Sequence, residues 1–346
     1  MRRTTKILSG TRRRSGARLR KPRPAKRPGV AIIGAGRLGT ALGLALKSAG
    51  YEINVVAAKR PSSARRAAKV FGPKTLALSA LQLSRLSPGQ IEHLNRCSLV
   101  LIATPDDVIA TVAKQLSEIF ASERIRLGSN QRTPAIPRVA LHTSGALASD
   151  VLKPMRISGF ATGSLHPLVS ISESRSGAEM LTHGFFSLEG DPAALRVGRT
   201  SVNDIGGESF TIDTRRKALY HAAAVMASPH LTALFDIALE MLGACGLSQR
   251  QAQKVLLPLV KSTVANLAIQ DPARALTGTF RRGDVSTVQM HLAAIKAANL
   301  PQALAAYVLL GQRSISMAGK HHPNAAGLNE IARILSRTRR ASTGID

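Results

Sequence analysis

The chain contains no tryptophan, only 3% aromatic residues, two cysteines and 20 acids against 48 lysines and arginines. Each shortage removes a class of function. Without interleaved aromatics there is no platform for stacking bases, so any contact with nucleic acid would be electrostatic and salt-sensitive. Cys97 and Cys245 lie far apart and outside any metal-ligand spacing. They offer no disulfide framework and no metal site, and are expected as reduced, buried thiols of a cytoplasmic protein. No apolar run is expected to approach the roughly twenty residues of a membrane span. What remains is 346 residues that are 44% hydrophobic, enough for two domains and a large core.

The net charge of +28 is unevenly spread, because residues 1–28 carry twelve Lys or Arg and no acid. Such a segment cannot bury enough apolar surface to fold alone and is expected to be a disordered basic tail. It fits a weak electrostatic anchor to nucleic acid, an organellar transit peptide of poor amphipathicity, or an extension without a role. The last is favoured. The remaining positive excess would steer anionic ligands.

The most informative stretch is Val30-Ala31-Ile32-Ile33-Gly34-Ala35-Gly36-Arg37-Leu38-Gly39. A short buried strand runs into the spacing Gly-x-Gly-x-x-Gly. Gly34 would make the tight turn, Gly36 would let a pyrophosphate approach the main chain, and Gly39 would let the next helix pack on the strand. A helix over 40–49 ended by Gly50 and a second strand over 53–58 complete a dinucleotide-binding unit. At the end of that second strand an acid would select NAD. Here the sequence is Lys59-Arg60-Pro61-Ser62-Ser63-Ala64-Arg65-Arg66, with four cations and no acid. Arg60 with Ser62 or Ser63 predicts a clamp for a 2′-phosphate, hence NADP(H).

Strands are expected over 98–104, 138–142, 161–165, 184–189 and 209–212. Residues 76–86 read as a weakly ordered connection and 121–137 as a surface loop. Strands alternating with helices predict an α/β, doubly wound, mostly parallel sheet of Rossmann type. From about residue 214 only Ala- and Leu-rich helical segments follow, over 215–227, 231–244, 249–269, 285–298, 302–317 and 325–336. The expected organisation is therefore a tail (1–28), an NADP-binding domain (29–213), an all-helical domain (214–338) and a short tail (339–346).

Several phrases of the chain carry a family resemblance: Ala103-Thr104-Pro105-Asp106-Asp107, His142-Thr143-Ser144-Gly145-Ala146, residues 163–168, 220–228 and 276–284. The chain resembles the Rossmann-like proteins with a helical C-terminal domain of unknown function, related to 6-phosphogluconate dehydrogenase, pyrroline-5-carboxylate reductase and ketopantoate reductase. The resemblance implies an NADP(H)-dependent oxidoreductase and a homodimer. By position beyond the carboxyl end of a strand, Ala103, Thr104 and Pro105 would line the cofactor's ribose and nicotinamide side beside Gly34, Gly36, Arg37, Leu38 and Gly39. Where such proteins commonly carry Asn after Ala227-Ser228, this chain has Pro229. His230 or Ser228 would then substitute, or the chemistry is altered or lost.

Hydride delivery to a carbonyl or imine needs a proton donor, a role that suits histidine at neutral pH. His166, expected in a loop just after a strand, is the first candidate, and His221 the second. Ser144 could donate to a substrate carboxylate or simply close a turn. No obvious Lys or Asn is found in the helix where related folds complete the site. The function expected is reduction of a small, anionic carbonyl or imine compound, such as a 2-oxo acid like ketopantoate. The alternative is an NADP-binding sensor or scaffold without turnover.

Overall fold

The computed structural model describes residues 27–127, 137–319 and 324–343; most of the basic tail, residues 1–26, lies outside them. The chain divides into two compact units, Met1–Tyr220 and His221–Asp346.

The first unit is an α/β layer structure. Its elements are β1 (Gly29–Ile33), α1 (Arg37–Ser48), β2 (Ile53–Ala58), α2 (Pro61–Phe71), β3 (Leu76–Ser79), α3 (Pro88–Asn95), β4 (Cys97–Ile102), α4 (Asp106–Leu127) and β5 (Val139–His142). They continue with α5 (Lys153–Ile157), β6 (Ala161–Pro167), α6 (Ser174–Leu181), β7 (Phe185–Gly190), α7 (Pro192–Asp204) and β8 (Glu208–Thr211). The eight strands form one sheet in the order β3-β2-β1-β4-β5-β6-β7-β8. All neighbours are parallel except β6 and β7, which pair antiparallel with Ser164 opposite Glu189. Successive strand residues face opposite sides of a sheet, and here both sides are covered. Val30, Ile32, Leu99 and Leu101 pack with α1, α2, α6 and α7 on one face. Ala31, Ile33, Val100 and Ile102 pack with α3 and α4 on the other. Continuous apolar strands are what a doubly covered parallel sheet demands.

Two local expectations are corrected. Residues 76–86 are ordered: Leu76 to Ser79 pair with β2 as the edge strand, too short to show an apolar run. A capping box between Ser87 and Gln90 then starts α3. Helix α4 carries on to Leu127, into the segment read as loop, because no helix breaker stands before Gly128.

The second unit is helical: the C-terminal part of α8 (Lys217–Ala227), then α9 (Pro229–Ala244), α10 (Gln249–Ile269), α11 (Pro272–Ala275), α12 (Gly278–Arg282), α13 (Val285–Ala297), α14 (Pro301–Ala318) and α15 (Ala325–Thr343). Helix α15 passes the expected helix end at 336, since Arg337, Arg339 and Arg340 are good helix formers. Its core is small, centred on Val288, Leu292, Val308, Ile331 and Leu335. Residues Thr214–Ala244 are also long and apolar enough to cross a membrane by length and composition, and contain an 18-residue window with a mean hydropathy of 1.4, none of that window buried. The expectation that no such stretch exists therefore fails. Many small alanines raise the average without forming a conspicuous apolar run. The stretch is two helices rather than one, broken where Ser228 leaves the helical region and Pro229 begins α9.

Candidate functional site

The carboxyl ends of β1, β4, β5 and β6 share one edge of the sheet, since these four strands are parallel. The glycine fingerprint sits on that edge. Gly34 has φ +114°, and a Cβ there would overlap the Ala103 carbonyl. At Gly39 a Cβ would overlap the Gly34 carbonyl. Around Gly36, by contrast, an added Cβ would meet nothing within 4 Å. Two glycines are thus forced by packing, and the one between them faces open space. Gly36 is the N-cap of α1 and supplies no side-chain cap, so the amides of Arg37, Leu38 and Gly39 have no partner within the helix. Free amides at a helix N-terminus favour an anion. A pyrophosphate fits this cradle on geometry and charge.

Two further features fit a nucleotide. Arg60 caps α2, whose first residue is Pro61, and Lys59, Arg60, Ser62, Arg65 and Arg66 are exposed. Ser63 is half-buried beside them, its amide donating to the Arg60 carbonyl. After β4, Ala103 donates its amide to Ile33 and fixes the approach to Thr104-Pro105. Among the described residues, Thr104 Oγ1 is buried with no hydrogen-bond partner. An unpaired buried hydroxyl is costly, and a ligand lying along this loop would satisfy it. No cluster of metal-ligating side chains occurs among the described residues.

Beyond β5 lies a dense polar network. The Ser144 hydroxyl donates to Asp106 Oδ2 at 2.8 Å and accepts from the amides of Ala146 and Leu147. Its hydrogen-bonding capacity is thereby used in closing the turn and tying it to α4. The Ser144 amide donates to His142 Nδ1, which leaves Nε2 to carry the proton toward the Ala148 carbonyl at 3.2 Å. Burial, with the nearby Lys217 charge, pushes His142 down to about 3. It is a neutral, structural histidine.

His166 lies within β6 rather than in a loop after it. The antiparallel partner β7 extends the strand to Pro167, and His166 pairs with Ser187 in register. Its Nδ1 is 2.8 Å from the Tyr220 hydroxyl, with the two rings edge to face. Burial raises the Tyr220 hydroxyl above its ordinary value.

The residue the sequence reading missed is Lys217. It stands at the first position of α8, 1% exposed, and its Nζ donates to the Ser144 carbonyl at 2.7 Å. Burial lowers it to about 8, against the opposing pull of the Glu189 and Asp106 carboxylates. The signal was available, since Lys217 opens the first long helix after the last strand. It was hidden in Arg215-Arg216-Lys217, which reads as a solvated cationic run. Lys217 and Tyr220, three residues apart, share one face of the first turn of α8. The structure therefore brings together Asp106, Ser144, His166, Lys217 and Tyr220. His221 and Ser228 belong to the helical unit, His221 one turn after Lys217 and Ser228 as the N-cap of α9.

Comparison with known proteins agrees with this architecture. The model of a Rossmann-like domain matches residues 15–167, and that of DUF2520, a domain of unknown function, matches residues 184–314. The second match begins ahead of β7 and so takes in the last two strands of the sheet as well as the helices. No curated protein matches the chain in sequence. Among solved structures, protein TM1727 from Thermotoga maritima is 23% identical, with a TM-score of 0.53 over 91% of this chain and 99% of its own. BF3122 from Bacteroides fragilis, named as an NADP oxidoreductase, is 21% identical, with a TM-score of 0.62 over 83% of this chain and 97% of its own. A reductive aminase from Aspergillus terreus, solved with NADPH and ethyl levulinate, is 16% identical, with a TM-score of 0.54 over 88% of this chain and 99% of its own. At these identities the likeness is one of fold. The chain thus carries, one after the other, matches to a Rossmann-like domain and to the domain of unknown function DUF2520.

Proposed function

We propose that the chain is an NADP(H)-dependent oxidoreductase that reduces a small anionic carbonyl or imine compound, with a 2-oxo acid such as ketopantoate preferred. The observation that carries this reading is the open space at Gly36 between two glycines that packing cannot spare. In this reading Gly34, Gly36, Arg37, Leu38 and Gly39 hold the pyrophosphate, and Arg60, Ser62 and Ser63 hold the 2′-phosphate. Ala103, Thr104 and Pro105 line the ribose and nicotinamide side. When bound, the nicotinamide supplies hydride chemistry. The chain's own residues supply the rest. His166, oriented by Tyr220, gives a proton to the atom that becomes O–H or N–H. Lys217 presents a cation that draws an anionic substrate and opposes developing negative charge. Lys217 is the reason for preferring a 2-oxo acid over a neutral imine.

Exposed apolar residues of the helical unit support a homodimer. Val255, Leu259, Leu267 and Ile269 on α10 and Leu231 and Leu234 on α9 are exposed, Ile269 to 80%. A second copy of the chain covering them would make the homodimer.

The test is NADPH consumption followed at the nicotinamide absorbance, with NADH beside it, across 2-oxo acids and cyclic imines. Turnover that requires NADPH and falls about a hundredfold in His166→Ala supports the reading. NADPH binding without turnover on any member of the panel favours the sensor or scaffold reading, which Pro229 at the first position of α9 supports.

A further inference from the structure

Glu189 was not among the candidate residues, yet its buried carboxylate accepts four hydrogen bonds. It is 4% exposed, on β7 opposite Ser164. Oε1 accepts from the Ser149 hydroxyl at 2.7 Å and from the Thr214 hydroxyl at 2.9 Å. Oε2 accepts from the Ser149 amide at 2.9 Å and from the Ser164 hydroxyl at 3.3 Å. The donors come from the turn after β5, from β6, and from the short turn Thr214–Arg216 that leads into α8. All four are neutral. Burying a carboxylate is expensive unless it is bonded and its charge is balanced. The bonds are accounted for, and the cation that it influences is Lys217. A glutamine could accept at one atom only and would turn an N–H group on the Ser149 amide, so the clamp needs both carboxylate oxygens, and their charge is buried beside the turn that starts α8.

We propose that Glu189 is a positioning residue for Lys217: it clamps the turn that starts α8, and its negative charge keeps the Lys217 amine an ammonium ion against the Ser144 carbonyl. The clamp and the charge act on the same short segment, because Thr214 lies three residues before Lys217. The charged and titratable groups that bear on this amine are Asp106 from α4, His142 from β5 and Glu189 from β7. His142 is held neutral, so the two carboxylates alone oppose the cost of burying the cation. Asp106 is already engaged by Ser144. The inference rests on the proposed function for its purpose, but not for its test.

The test is titration of the Lys217 side chain in the full chain, with no ligand added. Lysine labelled with ¹³C at Cε is followed by NMR, and the Lys217 resonance is assigned by its loss in Lys217→Met. In Glu189→Gln the midpoint is expected to fall by about one pH unit, a tenfold change in the ammonium equilibrium. Glu189→Asp keeps the charge one methylene farther back and is expected to restore part of that loss. An unchanged midpoint in Glu189→Gln overturns the proposal. Should that variant not fold, Glu189→Ala decides, because a midpoint equal to that of the parent chain without the carboxylate overturns the proposal as well. A shifted midpoint combined with no turnover on any substrate leaves the positioning role standing and removes the reductase.

Discussion

The two units differ in how they use apolar residues. In the sheet unit, β1, β4 and β5 are almost wholly buried, and each strand residue has a helix on its side of the sheet. In the helical unit five residues make the buried centre, while α9 and α10 leave Leu231, Leu234, Val255, Leu259 and Ile269 exposed. The first unit satisfies its own hydrophobic pattern. The second leaves several large apolar side chains of α9 and α10 exposed, and a contiguous patch of that kind invites a partner where scattered ones do not.

Substitutions can sharpen or break that contrast, and the largest effect belongs in the sheet. Phe120→Ala, at a side chain 1% exposed, should cost about 3–5 kcal/mol, whereas Leu267→Ala, 47% exposed, should change monomer stability by about 0.5 kcal/mol or less. Denaturant unfolding measures both, and comparable losses would erase the distinction. Next comes the apolar face. Leu259→Asp combined with Ile269→Asp should weaken self-association about a hundredfold while the circular dichroism spectrum is retained. Sedimentation that shows the parent chain to be monomeric would refute the homodimer.

The glycine cradle separates packing from binding. Gly36→Val has room for its side chain and should fold normally while losing about a hundredfold in NADPH affinity. Gly39→Val has no room and should lose stability first. Calorimetry with NADPH, alongside thermal melts, distinguishes the two; equal melting losses would mean that Gly36 is structural.

A smaller effect lies in the pH dependence. His142 is depressed from 6.5 to about 3 by burial, so between these values the unfolded chain binds a proton that the folded chain refuses. Stability should therefore fall as the pH drops below about 6.5, and the slope should flatten in His142→Asn. Melting temperatures across that range check it. The smallest effect is chemical. Cys97 is buried and its thiol pushed up to about 12, while Cys245 is exposed. One thiol should react with a disulfide reagent in the native protein and the second only on unfolding. Reaction of both in the native state would contradict the burial of β4.

Much of this arrangement can be read locally. The turn at Gly34, the start of α1 and the cationic end of β2 are encoded within some thirty consecutive residues, where spacing alone imposes geometry. Helix α10, from Gln249 to Ile269, is legible because Ser248 and Gln251 form its capping box. Other features are not local. Strand β3 contributes four residues and no apolar run, and exists because β2 offers an edge. The position of His166 inside a strand depends on β7 arriving antiparallel, which no short pattern encodes. Lys217 and Glu189 look like ordinary surface charges, and only distant partners reveal that both are buried. Lys217 meets a carbonyl 73 residues away, and Glu189 takes its amide bond from a residue 40 away.

The sequence by itself determined the glycine turn that starts α1, the cations at the end of β2, the alternation of strands and helices, and the change to an all-helical second half. These follow from steric and periodic rules that act over a few residues. Tertiary structure decided which polar side chains became a site. It spent the Ser144 hydroxyl on Asp106, neutralised His142, joined His166 to Tyr220 and buried Lys217 with Glu189. Those outcomes depend on desolvation and on the balance of charge, which are properties of surroundings that form only when distant segments meet.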